Sequence, residues 1–103
     1  MKAQYIHTLP PEWQAMSKVF TALGDEHRQR IVLLFDKNER LNAGQIAEGL
    51  PLTRSTVSHH LKILREAGVL AVEKVGKEMW FQVNRAWMEE TFQNVLDYLH
   101  EHY

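Results

Sequence analysis

Apolar residues along this chain recur in steps that define its elements. Leu9, Trp13, Met16, Phe20 and Leu23 are spaced four, three, four and three apart, one stripe of an amphipathic helix. Pro10 and Pro11 suit its first turn, where a missing N–H is no loss, and Gly24 is placed to end it. Asp25 is the next N-cap, and the apolar block Ile31 to Phe35 predicts a second, heavily buried helix. Asn42 followed by Gln45 is a capping-box variant opening a short third helix with Ile46, Ala47 and Leu50 on one side, closed by Pro51. Thr53 caps a fourth helix that runs to about Ala67 and stops at Gly68. The period then changes to two. Val69 to about Lys74, a turn at Gly76, and Met79, Phe81 and Val83 alternating with Trp80 and Gln82 predict a β-hairpin. Asn84 caps a last helix with Met88, Phe92, Val95, Leu96 and Leu99 in a stripe. The predicted fold is mainly α with a small β-hairpin, in the order α-α-α-α-β-β-α, as a single domain over residues 1–103.

Composition narrows the chemistry. The chain has no cysteine, which removes disulfides, thiolate metal sites and thiol nucleophiles together. No run of about 18 apolar residues occurs, and Met1 to Pro10 lacks an apolar signal core, so the expectation is a cytoplasmic protein with no membrane partner. The formal net charge of -1 gives no support to a nucleic-acid partner, but its distribution does. Residues 1–52 hold 6 Lys+Arg against 6 Asp+Glu, residues 53–83 hold 5 against 3, and residues 84–103 hold 1 against 4. A polyanion would therefore be met by the middle of the chain and repelled by its end. No Gly-rich phosphate loop, HExxH or cofactor fingerprint is present, and Ser58 beside His59 is a neighbour pair without an oriented base, so no enzyme is expected.

The third and fourth helices, joined through Leu50-Pro51-Leu52, form a helix-turn-helix pattern, whose second helix enters the DNA major groove. Helical phase supports this. At about 100° per residue from Ser55, Ser58 falls near 300°, His59 near 40° and Lys62 near 340°, while Val57, Leu61 and Leu64 fall between about 180° and 240°. Hydroxyl, imidazole and ammonium groups share one face and aliphatics the other. His60, near 140°, leans to the buried side. Such a polar face suits base edges and phosphates; the bland alternative is a solvated surface, which is normally richer in Glu and Lys. The hairpin tip adds Lys74, Gly76 and Lys77 as a basic wing, diluted by Glu73 and Glu78.

The run Thr53-Arg-Ser-Thr-Val-Ser-His-His-Leu-Lys-Ile-Leu-Arg-Glu-Ala-Gly68 resembles the recognition-helix signature of the ArsR/SmtB family of winged-helix repressors. Leu23-Gly-Asp-Glu-His-Arg-Gln-Arg-Ile-Val and Gly76-Lys-Glu-Met-Trp-Phe-Gln-Val83 are similar to that family's second helix and hairpin. The resemblance implies a homodimer built from the first and last helices, binding an inverted-repeat operator on double-stranded DNA until an inducer weakens the complex. It implies DNA contacts from Thr53, Arg54, Ser55, Ser58, His59 and Lys62, with Lys74 and Lys77 on the wing. The dimer contact would take Leu9, Trp13, Met16 and Phe20 from the first helix, and Met88, Phe92, Val95 and Leu99 from the last. The residues agree on that point, since these stripes carry more apolar surface than four short elements need to cover. A winged helix used for protein contact, or as DNA architecture without an inducer, is the alternative.

The inducer is unassigned. The third helix, where many family members carry a cysteine pair, reads Leu41-Asn-Ala-Gly-Gln-Ile-Ala-Glu48. The positions matching another metal site, at the two ends of the last helix, are Asn84, Ala86, Asp97 and His100. Asp97 and His100 are weak candidates for a divalent metal, because two ligands do not close a tetrahedral site without a partner subunit, so no cofactor is expected. His7 and His27 are isolated and read as structural. Trp13, Phe20, Trp87, Phe92, Tyr98 and Tyr103 read as interface core before they read as a ligand pocket.

Overall fold

A computed structural model describes residues 1–103. A short 3-10 turn at Ala3–Tyr5 precedes α1 (Pro11–Leu23), α2 (Glu26–Leu33), β1 (Leu41–Asn42), α3 (Ala43–Glu48), α4 (Arg54–Glu66), β2 (Leu70–Val75), β3 (Glu78–Val83) and α5 (Arg85–His102). Local chemistry sets these boundaries. Asp25 accepts from the His27 and Arg28 backbone N–H groups, Asn42 and Gln45 complete a reciprocal capping box, Thr53 accepts from Thr56 N, and Asn84 accepts from Trp87 N. Gly68 ends the α4 turn in the left-handed region at φ 81°, which a side chain strongly disfavours.

The sheet is antiparallel in the order β1-β3-β2, with Leu41 and Val72 both opposite Phe81. It therefore has a third strand beyond the expected hairpin. A two-residue strand carries no alternation to announce it. The core joins α1, α2, α3 and α4 to the sheet through Val19, Ile31, Ile46, Val57, Leu64, Val69, Leu70 and Phe81.

Three expectations are corrected. The first helix starts at Pro11 with Pro10 as its N-cap, so Leu9 precedes it. The block Ile31 to Phe35 is not heavily buried throughout: Ile31 is sealed, but Leu33 is 82% exposed. Consecutive residues on a helix sweep round its axis, so an unbroken apolar run cannot face one core. Met16 is 1% exposed within the protomer and belongs to its interior, not to an exposed seam. Leu9, Phe20, Phe92, Leu96 and Leu99 do remain exposed, and Trp13, Met88 and Val95 are half-buried. No helix is long and apolar enough to cross a membrane.

Candidate nucleic-acid interface

α4 separates its chemistry by face. Val57, Leu61 and Leu64 are sealed beneath it, with His60 beside them. Arg54, Ser55, Ser58, His59, Lys62 and Arg65 are exposed. Thr53, also exposed, is committed as the cap: its Oγ1 accepts from Thr56 N at 3.2 Å and lies 2.8 Å from Thr56 Oγ1. The cap leaves α4 presenting its first turn and its dipole outward, a geometry suited to phosphate.

Beside this helix, β2 and β3 turn back through Gly76 and Lys77, with Gly76 at φ 61°. Between α4, the wing and the start of α3 lies an open cleft of ≈ 500 Å³. Arg54, Lys62, Arg65 and Lys77 line it, together with Ser58 and Asn42, against the single carboxylate of Glu78. None of these four cations is in an ion pair; the ion pairs are Arg30–Glu26, Arg40–Glu73 and Arg85–Glu89. Four unneutralised cations around one concavity raise the local potential well above what a net charge of -1 suggests. Lys74 is exposed on β2, next to Glu73, whose carboxylate is held at 2.9 Å by Arg40.

Arg65 was not among the residues singled out from the sequence. The phase used for Ser58 would have found it, since Arg65 falls near 280° from Ser55. Arg40 could not have been found this way, because its contact with Glu73 joins a loop to a distant strand.

The candidate metal residues do not assemble. Asp97 accepts from Gln93 Nε2 at 2.8 Å, His100 is exposed, and no group of three His, Cys, Asp or Glu side chains is placed to hold an ion. His102 stacks on Tyr98 and lies 2.6 Å from Lys2 Nζ through its Nδ1. Tyr98 also meets Trp13 edge-on at 5.2 Å between centroids, joining the C-terminal end of α5 to the start of α1. His27 lies 3.1 Å from an Arg30 nitrogen through its Nδ1.

A helix-turn-helix followed by an antiparallel wing defines the winged helix-turn-helix class of DNA-binding domains. The family model described as a helix-turn-helix domain matches residues 23–73. The transcriptional repressor SdpR of Bacillus subtilis is 29% identical over 86 residues, covering 84% of this chain and 94% of the relative. An uncharacterized HTH-type transcriptional regulator of the same organism, YceK, is 33% identical over 84 residues, covering 81% and 80%. An arsenical resistance operon repressor of Staphylococcus aureus is 29% identical over 83 residues, covering 81% and 79%. Among solved structures, an ArsR-like transcriptional regulator from Rhodococcus sp. RHA1 superposes with a TM-score of 0.78 at 27% identity, over 86% of this chain and 83% of that one. A homodimeric winged helix-turn-helix DNA-binding domain from Mycobacterium bovis shares the fold, with a TM-score of 0.66 at 21% identity over 88% and 86%. The chain belongs to the ArsR/SmtB family of winged helix-turn-helix transcriptional regulators.

Proposed function

We propose that this chain is a dimeric repressor that places α4 of each protomer in successive major grooves of an inverted-repeat operator. The observation that carries this reading is the exposed Ser55, Ser58, His59 and Lys62 face of α4, framed by the four-cation cleft. Ser55, Ser58 and His59 read base edges, while Arg54, Lys62, Arg65 and Lys77 hold phosphates and Lys74 adds charge to the wing outside the cleft without a phosphate contact of its own. Thr53 positions the first turn. The exposed Phe20, Phe92, Leu96 and Leu99 supply the apolar surface through which α1 and α5 meet a second copy, as the homodimeric relative's description supports. Half-sites about 10 base pairs apart would match a two-fold dimer.

Footprinting of the DNA upstream of the chain's own gene tests this reading. A protected segment with two-fold sequence symmetry is expected. Replacing Ser58 and His59 together by Ala is expected to erase the preference for that segment over random duplex in a competition assay, with the dimer intact by light scattering. Unchanged discrimination would remove both residues from base readout.

The inducer reaches this chain without a thiol, because cysteine is absent. Several relatives are named for arsenic or arsenical resistance; arsenite, which binds thiolates, is therefore expected to leave the duplex complex of this chain intact. An electrophoretic mobility assay with arsenite checks it; release of a still-folded protein would overturn the expectation.

A further inference from the structure

The recognition helix is held from below by a polar junction that base readout does not use. Arg28 of α2 bridges three elements through one guanidinium. Its Nε donates to the Ala22 carbonyl at 2.7 Å and its Nη2 to the Thr21 carbonyl at 3.0 Å, both in the last turn of α1. Its Nη1 meets His60 Nδ1 of α4 at 3.3 Å. His60 is 8% exposed and is the neighbour of His59 on the outer face.

A guanidinium has donors and no acceptor, so the His60 Nδ1 at this contact must be the acceptor. That requires the neutral ring with its proton on Nε2. A proton on Nδ1 would remove the hydrogen bond and set two cations against each other in a mostly buried place. The charged groups acting on His60 are Asp25 at the α2 N-cap, Arg28 and His27 of α2, and His59 of α4 itself. The ring centroids of His27 and His59 lie 5.8 and 6.0 Å from that of His60. Burial is the largest influence and pushes the His60 imidazole below the usual histidine range; Asp25 opposes it, and Arg28, His27 and His59 act with burial.

We infer that Arg28 and His60 form a positioning pair for the recognition helix, and that protonating their junction loosens α4 and weakens duplex binding in acid. The inference rests on the DNA-binding reading above. Its direction follows from linkage. With the folded-state value depressed, a loosened chain takes up the proton first, so the junction is fully stabilising above about pH 6.5 and weakens progressively below it. Surface electrostatics predicts the opposite sign, because added protons make the protein as a whole more positive and would tighten its grip on a polyanion.

The test is fluorescence anisotropy with a labelled duplex of about 30 base pairs from the DNA upstream of the chain's own gene, at fixed ionic strength, between about pH 7.5 and about pH 5.5. The wild-type affinity is expected to fall about ten-fold, within the range typical of coupling between two sites. In His60→Asn the amide oxygen replaces Nδ1 as the acceptor for Arg28 without titrating, so the ratio between the two pH values should shrink to about two-fold or reverse. A role in packing alone would lower affinity at both ends and leave the ratio unchanged. Tightening of the wild type in acid, or an undiminished ratio in His60→Asn, would overturn the inference. Should His60→Asn not fold, His27→Asn decides. His27 lies outside the base-reading face and is not hydrogen-bonded to Arg28, its Nδ1 lying 3.1 Å from an Arg30 nitrogen, so that variant must keep the acid loss, and an abolished loss would count against the junction. If no duplex binds at any pH, the DNA-binding reading itself has failed, and amide hydrogen exchange judges the junction separately. Protection across Arg54–Glu66, corrected for intrinsic exchange rates, should drop over the same pH interval in the wild type. Unchanged protection would overturn it.

Discussion

Duplex affinity is expected to fall by about 10⁴-fold when salt rises from about 50 to about 200 mM. The figure follows from the cleft beside α4. Arg54, Lys62, Arg65 and Lys77 give four cations per protomer, and a dimer doubles them. Each phosphate contact contributes roughly 0.9 to the slope of log affinity against log salt, so eight contacts give a slope near -7. Replacing Lys62 or Lys77 by Ala removes one contact from each protomer and should flatten that slope by about 1.8, with weakening spread evenly across sequences. Titrations at several salt concentrations measure this directly. A slope near zero would favour a winged helix used for protein contact, because the chain's net charge of -1 supplies no general attraction to DNA. The arrangement of cations, not their sum, is what the experiment reads.

Gly68→Ala is expected to lower the unfolding free energy by about 3 kcal/mol and the melting temperature by roughly 15 °C. Two effects combine at this position. Its φ of 81° is a left-handed conformation that disfavours an L side chain by about 1–2 kcal/mol. An added methyl would also stand 2.6 Å from Trp87 Nε1 and 2.8 Å from Trp87 Cδ1, closer than real contacts allow. The indole cannot simply swing away, because Nε1 donates to the Ala67 carbonyl at 3.0 Å, and losing that bond costs about 1 kcal/mol or more. The chain provides its own control. Gly76 shares the left-handed backbone, at φ 61°, but nothing lies within 4 Å of an added methyl. Gly76→Ala should therefore lose only about 1–2 kcal/mol. Denaturant unfolding of both variants separates the indole contact from backbone strain; equal losses would show that the contact contributes nothing.

Elements closed by their own neighbours were legible in the sequence. Asp25, Asn42, Thr53 and Asn84 each cap a helix by bonding an N–H two or three residues ahead, a mechanism that needs no tertiary partner. The two faces of α4 were legible for the same reason: phase is a local property, and it placed Ser55, Ser58, His59 and Lys62 opposite Val57, Leu61 and Leu64. What escaped was set at a distance. β1 exists because two residues meet β3 across the fold, and Arg40 reaches Glu73 of β2 from the loop before β1. Met16 shares its stripe with Leu9 and Phe20, yet the packing of the protomer seals one and leaves the others exposed. The lean of His60 inward could be read from its angle, but its partner Arg28 lies 32 residues away, and no local rule pairs them.

The protomer measures 50 × 24 × 24 Å and seals only 14 of its 103 residues from solvent. A chain with so slight an interior has little free energy of its own to hold it together, so on the dimeric reading pairing and folding become one equilibrium governed by concentration. Cellular copy number then controls more than operator occupancy. Scarce chains are unpaired, unfolded part of the time and open to proteases, so dilution shortens their lifetime and accelerates their own disappearance. A gene under such a regulator would switch on more sharply, as supply falls, than binding stoichiometry alone dictates.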